Sequence, residues 1–151
     1  MKKLIALLSV LLLSLLLCSC AAPKAAPIDA ANAGAAAAKK MNTEMVPMFE
    51  EDIEDVIGIS VSDCTAWYAA MAENNLQPEE ILVFTAKDEA AAREMLSTLK
   101  EYIARRVKES ENYLPQNTAV IKAAIIEQSG NTVYSIVSAN AKEVLKALQG
   151  R

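Results

Sequence analysis

Glu80-Ile81-Leu82-Val83-Phe84-Thr85-Ala86-Lys87-Asp88-Glu89 is the stretch that decides the fold. Its centre, Ile81 to Thr85, is rich in β-branched and aromatic residues and follows the turn signal Asn74-Asn75-Leu76-Gln77-Pro78-Glu79. A short apolar run bounded in this way reads as a buried strand. At Asp88 the period changes. Ala92, Met95, Leu96, Leu99, Tyr102, Ile103 and Val107 recur at 3.6-residue spacing and predict a helix over 88–110. Asp88 and Glu89 suit its positive end, and Arg105, Arg106 and Lys108 its negative end. Tyr113-Leu114-Pro115 ends it, with Leu114 expected in the core.

Downstream, Ala123 to Gln128 and Thr132 to Val137 flank Ser129-Gly130-Asn131, a β-hairpin signal in which Gly130 supplies a positive φ. Asn140 is placed to cap a last helix with the stripe Ala141, Val144, Leu145 and Leu148. Upstream, Cys64 to Ala72 reads two ways: its alanines and Met71 favour helix, whereas Cys64-Thr65-Ala66-Trp67-Tyr68 favours strand. A hairpin through 74–79 accommodates the strand reading. Before it, Glu50 to Ile57 predicts a short helix with Ile53, Val56 and Ile57 on one face, stopping at Gly58. The expectation is one α+β domain with a mixed or antiparallel sheet of three to four strands. The long helix and the C-terminal helix are expected on one sheet face, with segment 41–62 shielding part of the other. The strands at Phe84 and Ala123 would be parallel if they were neighbours, joined by a right-handed crossover.

The other end of the chain has a different character. Met1-Lys2-Lys3 precedes an uncharged apolar run, Leu4 to Leu17, which contains neither Gly nor Pro. A spanning helix needs about 20 apolar residues, so this shorter run behind a basic start reads as a secretory signal. Leu17-Cys18-Ser19-Cys20 resembles the lipobox of bacterial lipoproteins, with cleavage between Ser19 and Cys20 and a diacylglyceryl group on Cys20. The thiolate is the nucleophile suited to that thioether. Cys18 fits poorly because Leu17 would fill the small-residue site before it. The competing readings are an ordinary signal cut after Ala21 or Ala22, or an uncleaved anchor. Residues 21–40 are alanine-rich, interrupted by Pro23, Pro27 and Gly34, with Ile28 as the one large apolar side chain. They read as a flexible tether. The expected organisation is thus a signal peptide at 1–19, lipidated Cys20 and tether at 20–40, and the folded domain at 41–151.

The 53% hydrophobic content is partly leader and tether, so it does not mark a membrane-embedded domain. With 15 basic and 19 acidic residues the chain does not bind nucleic acid by bulk charge. It has no histidine, which removes every mechanism that needs an imidazole base or metal ligand.

The order of Glu80-Ile81-Leu82-Val83-Phe84, a long charged helix, Tyr113-Leu114-Pro115, Gly130-Asn131-x-Val133-Tyr134 and a short terminal helix resembles the DUF4358 family. The resemblance runs from about Phe49 to Leu148 and implies a small bacterial lipoprotein or secreted protein of unknown function. The family often has Gly-Asn-Tyr after its turn; here Thr132 follows Asn131, and Tyr134 comes two positions later. The resemblance brings no catalytic residues with it.

The residues that bear chemistry each have a plainer reading. Cys64 is the one thiol left after processing; without a histidine, and beside Asp63, which raises its pKa, it reads as a small core residue. Glu50, Asp52 and Glu54 lie in an acidic run that offers hard oxygens to Ca²⁺, yet the run lacks a calcium-loop pattern and reads as a solvated helix face. Glu79-Glu80 offers paired carboxylates of the glycosidase kind, although strand neighbours point apart. Trp67, Tyr68 and Tyr113 are the candidate ligand surface, against a packing role in core and rim. Four glycines are too few for a phosphate-cradling loop.

The expectation is therefore a non-catalytic binding module without a cofactor, held on the outer face of a membrane through Cys20. Its partner would be an envelope protein, a peptide or a glycan. The alternative is a carboxylate-based Ca²⁺ binder or hydrolase at the cell envelope. A solute receptor is disfavoured because a single small domain has no inter-domain cleft.

Overall fold

The computed structural model describes residues 27–151. The signal peptide expected at 1–19, the cleavage expected between Ser19 and Cys20, and the first residues of the expected tether lie outside them. In chain order the elements are α1 (Ala30–Ala38), β1 (Met45–Pro47), α2 (Glu50–Asp52), which continues as a π-helical turn (Ile53–Ile57), β2 (Cys64–Ala72), β3 (Glu80–Ala86), α3 (Glu89–Tyr113), α4 (Thr118–Lys122), β4 (Ile125–Ser129), β5 (Thr132–Val137) and α5 (Ala141–Leu148). Short 3₁₀ turns precede β2 (Val61–Asp63) and α4 (Pro115–Asn117).

The fold is α+β, with a five-stranded sheet in the order β1-β2-β3-β5-β4. Every pairing is antiparallel. The strand alternative for 64–72 is the one realised. A nine-residue segment beside β3 gains a full ladder, from Cys64 opposite Ala86 to Met71 opposite Glu80, and that outweighs the helix propensity of its alanines. The β2–β3 hairpin turns through 73–79, where Asn74 Oδ1 accepts from the Leu76 N–H at 3.0 Å. Gly130 has φ 59 in the two-residue turn between β4 and β5, as the hairpin reading requires.

Three expectations about arrangement are corrected. The sheet has five strands rather than three to four, because Met45–Pro47 adds an edge strand to β2. The strands at Phe84 and after Ala123 are not neighbours, so the conditional parallel crossover does not arise. β5 inserts between them, pairing Phe84 with Val133, so the sheet is antiparallel throughout. The two main helices also lie on opposite faces. Side chains alternate along a strand, and β3 is apolar on both sides, so each side needs a cover. Leu82 and Phe84, with Val133 and Val137, meet Met95, Leu99, Tyr102 and Ile103 of α3. Ile81 and Val83, with Tyr134 and Ile136, meet Val144 and Leu148 of α5. Segment 41–62 joins the α3 side through Met48, Ile53, Ile57 and Ile59.

The third correction concerns the tether. Residues 30–38 are helix α1, docked against β2, β3 and α5. Nine residues are too few for a stable helix alone, so packing holds this one. Asp29 caps it, accepting from the Asn32 N–H at 3.2 Å, and those bonds hold its carboxyl below the usual value. Ala30, Ala37 and Ala38 are buried, so methyl groups form the apolar face with which the helix docks. At Gly34 a Cβ would lie 2.6 Å from Tyr68 Cβ, so the helix approaches the sheet at a distance only glycine permits.

Candidate functional site

Two places in the described structure combine polar chemistry with a shaped environment, and they adjoin one another where the C-terminal half of α3 meets the β2–β3 turn. The inner one is built on Glu80, the first residue of β3. Strand alternation points its side chain under α3, where it is 1% exposed. The helix presents Tyr102 and Arg106, four residues apart and so on one face. Tyr102 Oη donates to Glu80 Oε2 at 2.6 Å, and Arg106 Nη1 lies 3.2 Å from the same oxygen. Arg106 Nη2 donates to the Pro78 carbonyl at 3.1 Å, tying the hairpin to the helix. Arg105 and Arg106 lie 5.5 and 5.8 Å from the centre of the Tyr102 ring, within cation–π range.

Burial raises the Glu80 carboxyl above its ordinary value, against the opposing pull of Arg106 and the Tyr102 hydroxyl. Burial and the Glu80 charge raise Tyr102 as well. Glu80 Oε1 makes no hydrogen bond among the described residues, nor does the buried Ser135 Oγ. Leu82 stands opposite Ser135, so that hydroxyl lies on the same face of the sheet as Glu80. Such a cluster fixes helix against strand. Glu80 and Tyr102 are 1% and 5% exposed, which distinguishes the cluster from an open acid–base pair.

The outer place is a shallow groove of about 150 Å³ lined by Arg106, Glu109, Ser110, Tyr113, Leu114, Asn117 and Ile121. Asn117 Nδ2 donates to the Leu76 carbonyl at 2.9 Å, which brings the hairpin tip beside it. Tyr113 is 83% exposed and Leu76 60% exposed, so an aromatic and an aliphatic side chain stand out at this end.

Trp67, Tyr68 and Tyr113 do not form one surface. Trp67 and Tyr68 are successive residues of β2 and point to opposite faces, Trp67 towards the α3 side and Tyr68 onto Gly34 of α1. Tyr113 alone is open. Leu114 is half-buried in the groove wall.

Glu50, Asp52 and Glu54 are all exposed. Asp52 is two residues from each of the other two, and residues at that spacing on a helical turn do not face each other. Glu54 Oε1 accepts from Ser60 Oγ at 2.8 Å. Among the described residues no group of three His, Cys, Asp or Glu side chains is placed to hold a metal ion. Glu79 and Glu80 share no hydrogen bond: Glu79 precedes β3 and is half-buried, whereas Glu80 opens the strand and is buried under α3. Cys64 is a free, half-buried thiol that burial, followed by the Asp63 charge, pushes up to about 11, away from thiolate chemistry. Asn140 does not cap α5 with its side chain; it donates to the Lys40 carbonyl at 2.7 Å and so pins the end of α1 to the start of α5.

The sequence reading missed the Glu80–Tyr102–Arg106 cluster. Tyr102 was counted in an apolar stripe and Arg106 among charges at a helix end. The signal was present: an acid opening an otherwise apolar strand needs a partner, and Tyr102 with Arg106 supplies a donor pair at i, i+4.

The chain belongs to the DUF4358 family, a domain of unknown function, whose model matches residues 38–138. The match takes in the whole sheet and α3 but stops before α5. No curated protein and no solved structure matches the chain.

Proposed function

We propose that the chain is a lipid-anchored, non-catalytic binding module on the outer face of a cell membrane, which engages an envelope protein, peptide or glycan. The observation that carries this reading is the order of the leader: two lysines, the apolar run Leu4 to Leu17, and Leu17-Cys18-Ser19-Cys20. Two acyl chains on Cys20, at about 0.8 kcal/mol per buried CH₂, hold a protein firmly on a bilayer. Among the described residues no helix is long and apolar enough to cross a membrane. The exposed pair Tyr113 and Leu76, beside the groove at the end of α3, is the surface we assign to the partner.

Membrane fractionation and the mass of the mature chain test the anchor. Cys20→Ala should release the protein from membranes and Cys18→Ala should not; retention of both variants would refute it. Reproducible capture of one envelope component by wild type, lost in the Tyr113→Ser/Leu76→Ser double variant, is the outcome expected of the binding surface. Capture unaffected by the double variant would move the surface elsewhere.

A further inference from the structure

We infer that the domain is held end-on to the membrane, with the β4–β5 turn and the C-terminus facing the lipid headgroups and the Leu76–Tyr113 end pointing away. This rests on the lipid-anchor reading and adds a direction to it. The described chain enters at Pro27. Pro27, Ile28 and Asp29 share a groove with Ser129, Leu148 and Arg151, so the chain emerges beside the β4–β5 turn and the end of α5. Strand register locates that end of the molecule. Thr85 pairs with Thr132 there, whereas Glu80 pairs with Val137 and Met71 at the other end, five residues and about 17 Å further on. Leu76 lies beyond Glu80 in the hairpin turn. The 25 residues of α3 run in the same direction, about 37 Å from Glu89 to Tyr113.

Because α1 is docked, the stretch of chain between Cys20 and the domain is much shorter than an alanine-rich tether up to residue 40 would allow. Six residues lie between Cys20 and Pro27, seven Cα–Cα steps with a covalent reach of about 25 Å at full extension. That reach is spent at the entry end, from which Tyr113 is a helix length away and Leu76 more than the strand length of about 17 Å. Charge opposes lying flat. Residues 27–151 carry nineteen acidic and twelve basic side chains, so an anionic headgroup layer repels the body of the domain.

The test uses the full lipidated chain in phosphatidylethanolamine–phosphatidylglycerol vesicles that carry a nitroxide-headgroup quencher. In a Cys64→Ala background, a fluorophore is placed by Lys87→Cys at the entry end, or by Leu76→Cys or Tyr113→Cys at the far end. The label at 87 should lose more than half its emission and the labels at 76 and 113 should keep most of theirs. A Gly-Ser insertion between Ala26 and Pro27 should abolish the difference. Equal quenching at both ends without the insertion, or stronger quenching at 76 and 113, overturns the orientation while leaving the anchor intact. Protein that does not sediment with the vesicles overturns the anchor and the orientation together.

Discussion

On one face of the sheet a single long helix covers Leu82, Phe84, Val133 and Val137 with methionine, leucine, isoleucine and tyrosine; on the other, two short helices cover Ile81, Val83, Tyr134 and Ile136, and one of them does so almost entirely with alanine. The α3 face gains its stability from volume. It can also host a buried carboxylate, because a helix of 25 residues brings its own donors to it. The α1–α5 face gains from closeness: small side chains let α1 lie against β2, and Gly34 sets the distance to Tyr68. One face is therefore sensitive to lost atoms and the other to added ones.

The sharpest way to break this contrast is Phe84→Ala on the α3 face, which should cost about 4 kcal/mol in urea unfolding because deletion of a buried aromatic leaves a cavity. Next comes Glu80→Ala, which leaves Arg106 facing a buried hole and should cost about 3 kcal/mol. The double replacement Glu80→Met/Arg106→Met removes charge and countercharge together. It should recover most of that loss, since desolvation offsets much of what a buried pair contributes. A double variant as unstable as the single one would show that the ion pair itself, and not its breakage, stabilises the fold.

On the other face, Gly34→Ala should cost about 2 kcal/mol by overpacking against Tyr68, whereas Asn32→Ala, at an exposed position of the same helix, removes the carboxamide that donates to Asp29 and so tests the cap alone. A neutral Gly34→Ala would mean that α1 slides, and that its docking is not set by contact distance.

The smallest effects are in pH. The Glu80 carboxyl is raised in the folded state, so its contribution to stability is complete below the ordinary value of 4.5 and is lost as pH rises through the folded value. Unfolding midpoints of wild type relative to Glu80→Met/Arg106→Met should therefore improve as pH falls towards that value. Tyr134, which donates to Glu127 Oε2 at 2.8 Å and is pushed up to about 12, gives the corresponding signature for the α1–α5 face. Its contribution is present below pH 10 and is lost as pH rises through about 12; Tyr134→Phe, costing about 1 kcal/mol at neutral pH, should lack that alkaline loss.

Much of the fold is legible in residues 80–137, because there the local and global signals agree: an apolar strand, a striped helix with charges suited to its ends, and a glycine turn. Helix α1 was not legible, since its alanines are an equally good description of a spacer until a sheet face with room for methyl groups is placed beside them. The inner cluster was half legible. Its members are all conspicuous residues, but β3 and α3 must be packed before Glu80, Tyr102 and Arg106 become neighbours. The outer groove was signalled by Tyr113 alone.

The sequence by itself determined the absence of histidine chemistry, the family, and the strand–helix–hairpin order, because each rests on residue types or on spacing along one element. Only the tertiary structure decided that the sheet is antiparallel throughout, that the two helices cover opposite faces, that residues 30–38 belong to the domain, and that the chain enters at the end opposite Tyr113. These depend on which apolar face meets which partner across the chain, and strands that are apolar on both sides leave that choice open until every element is in place.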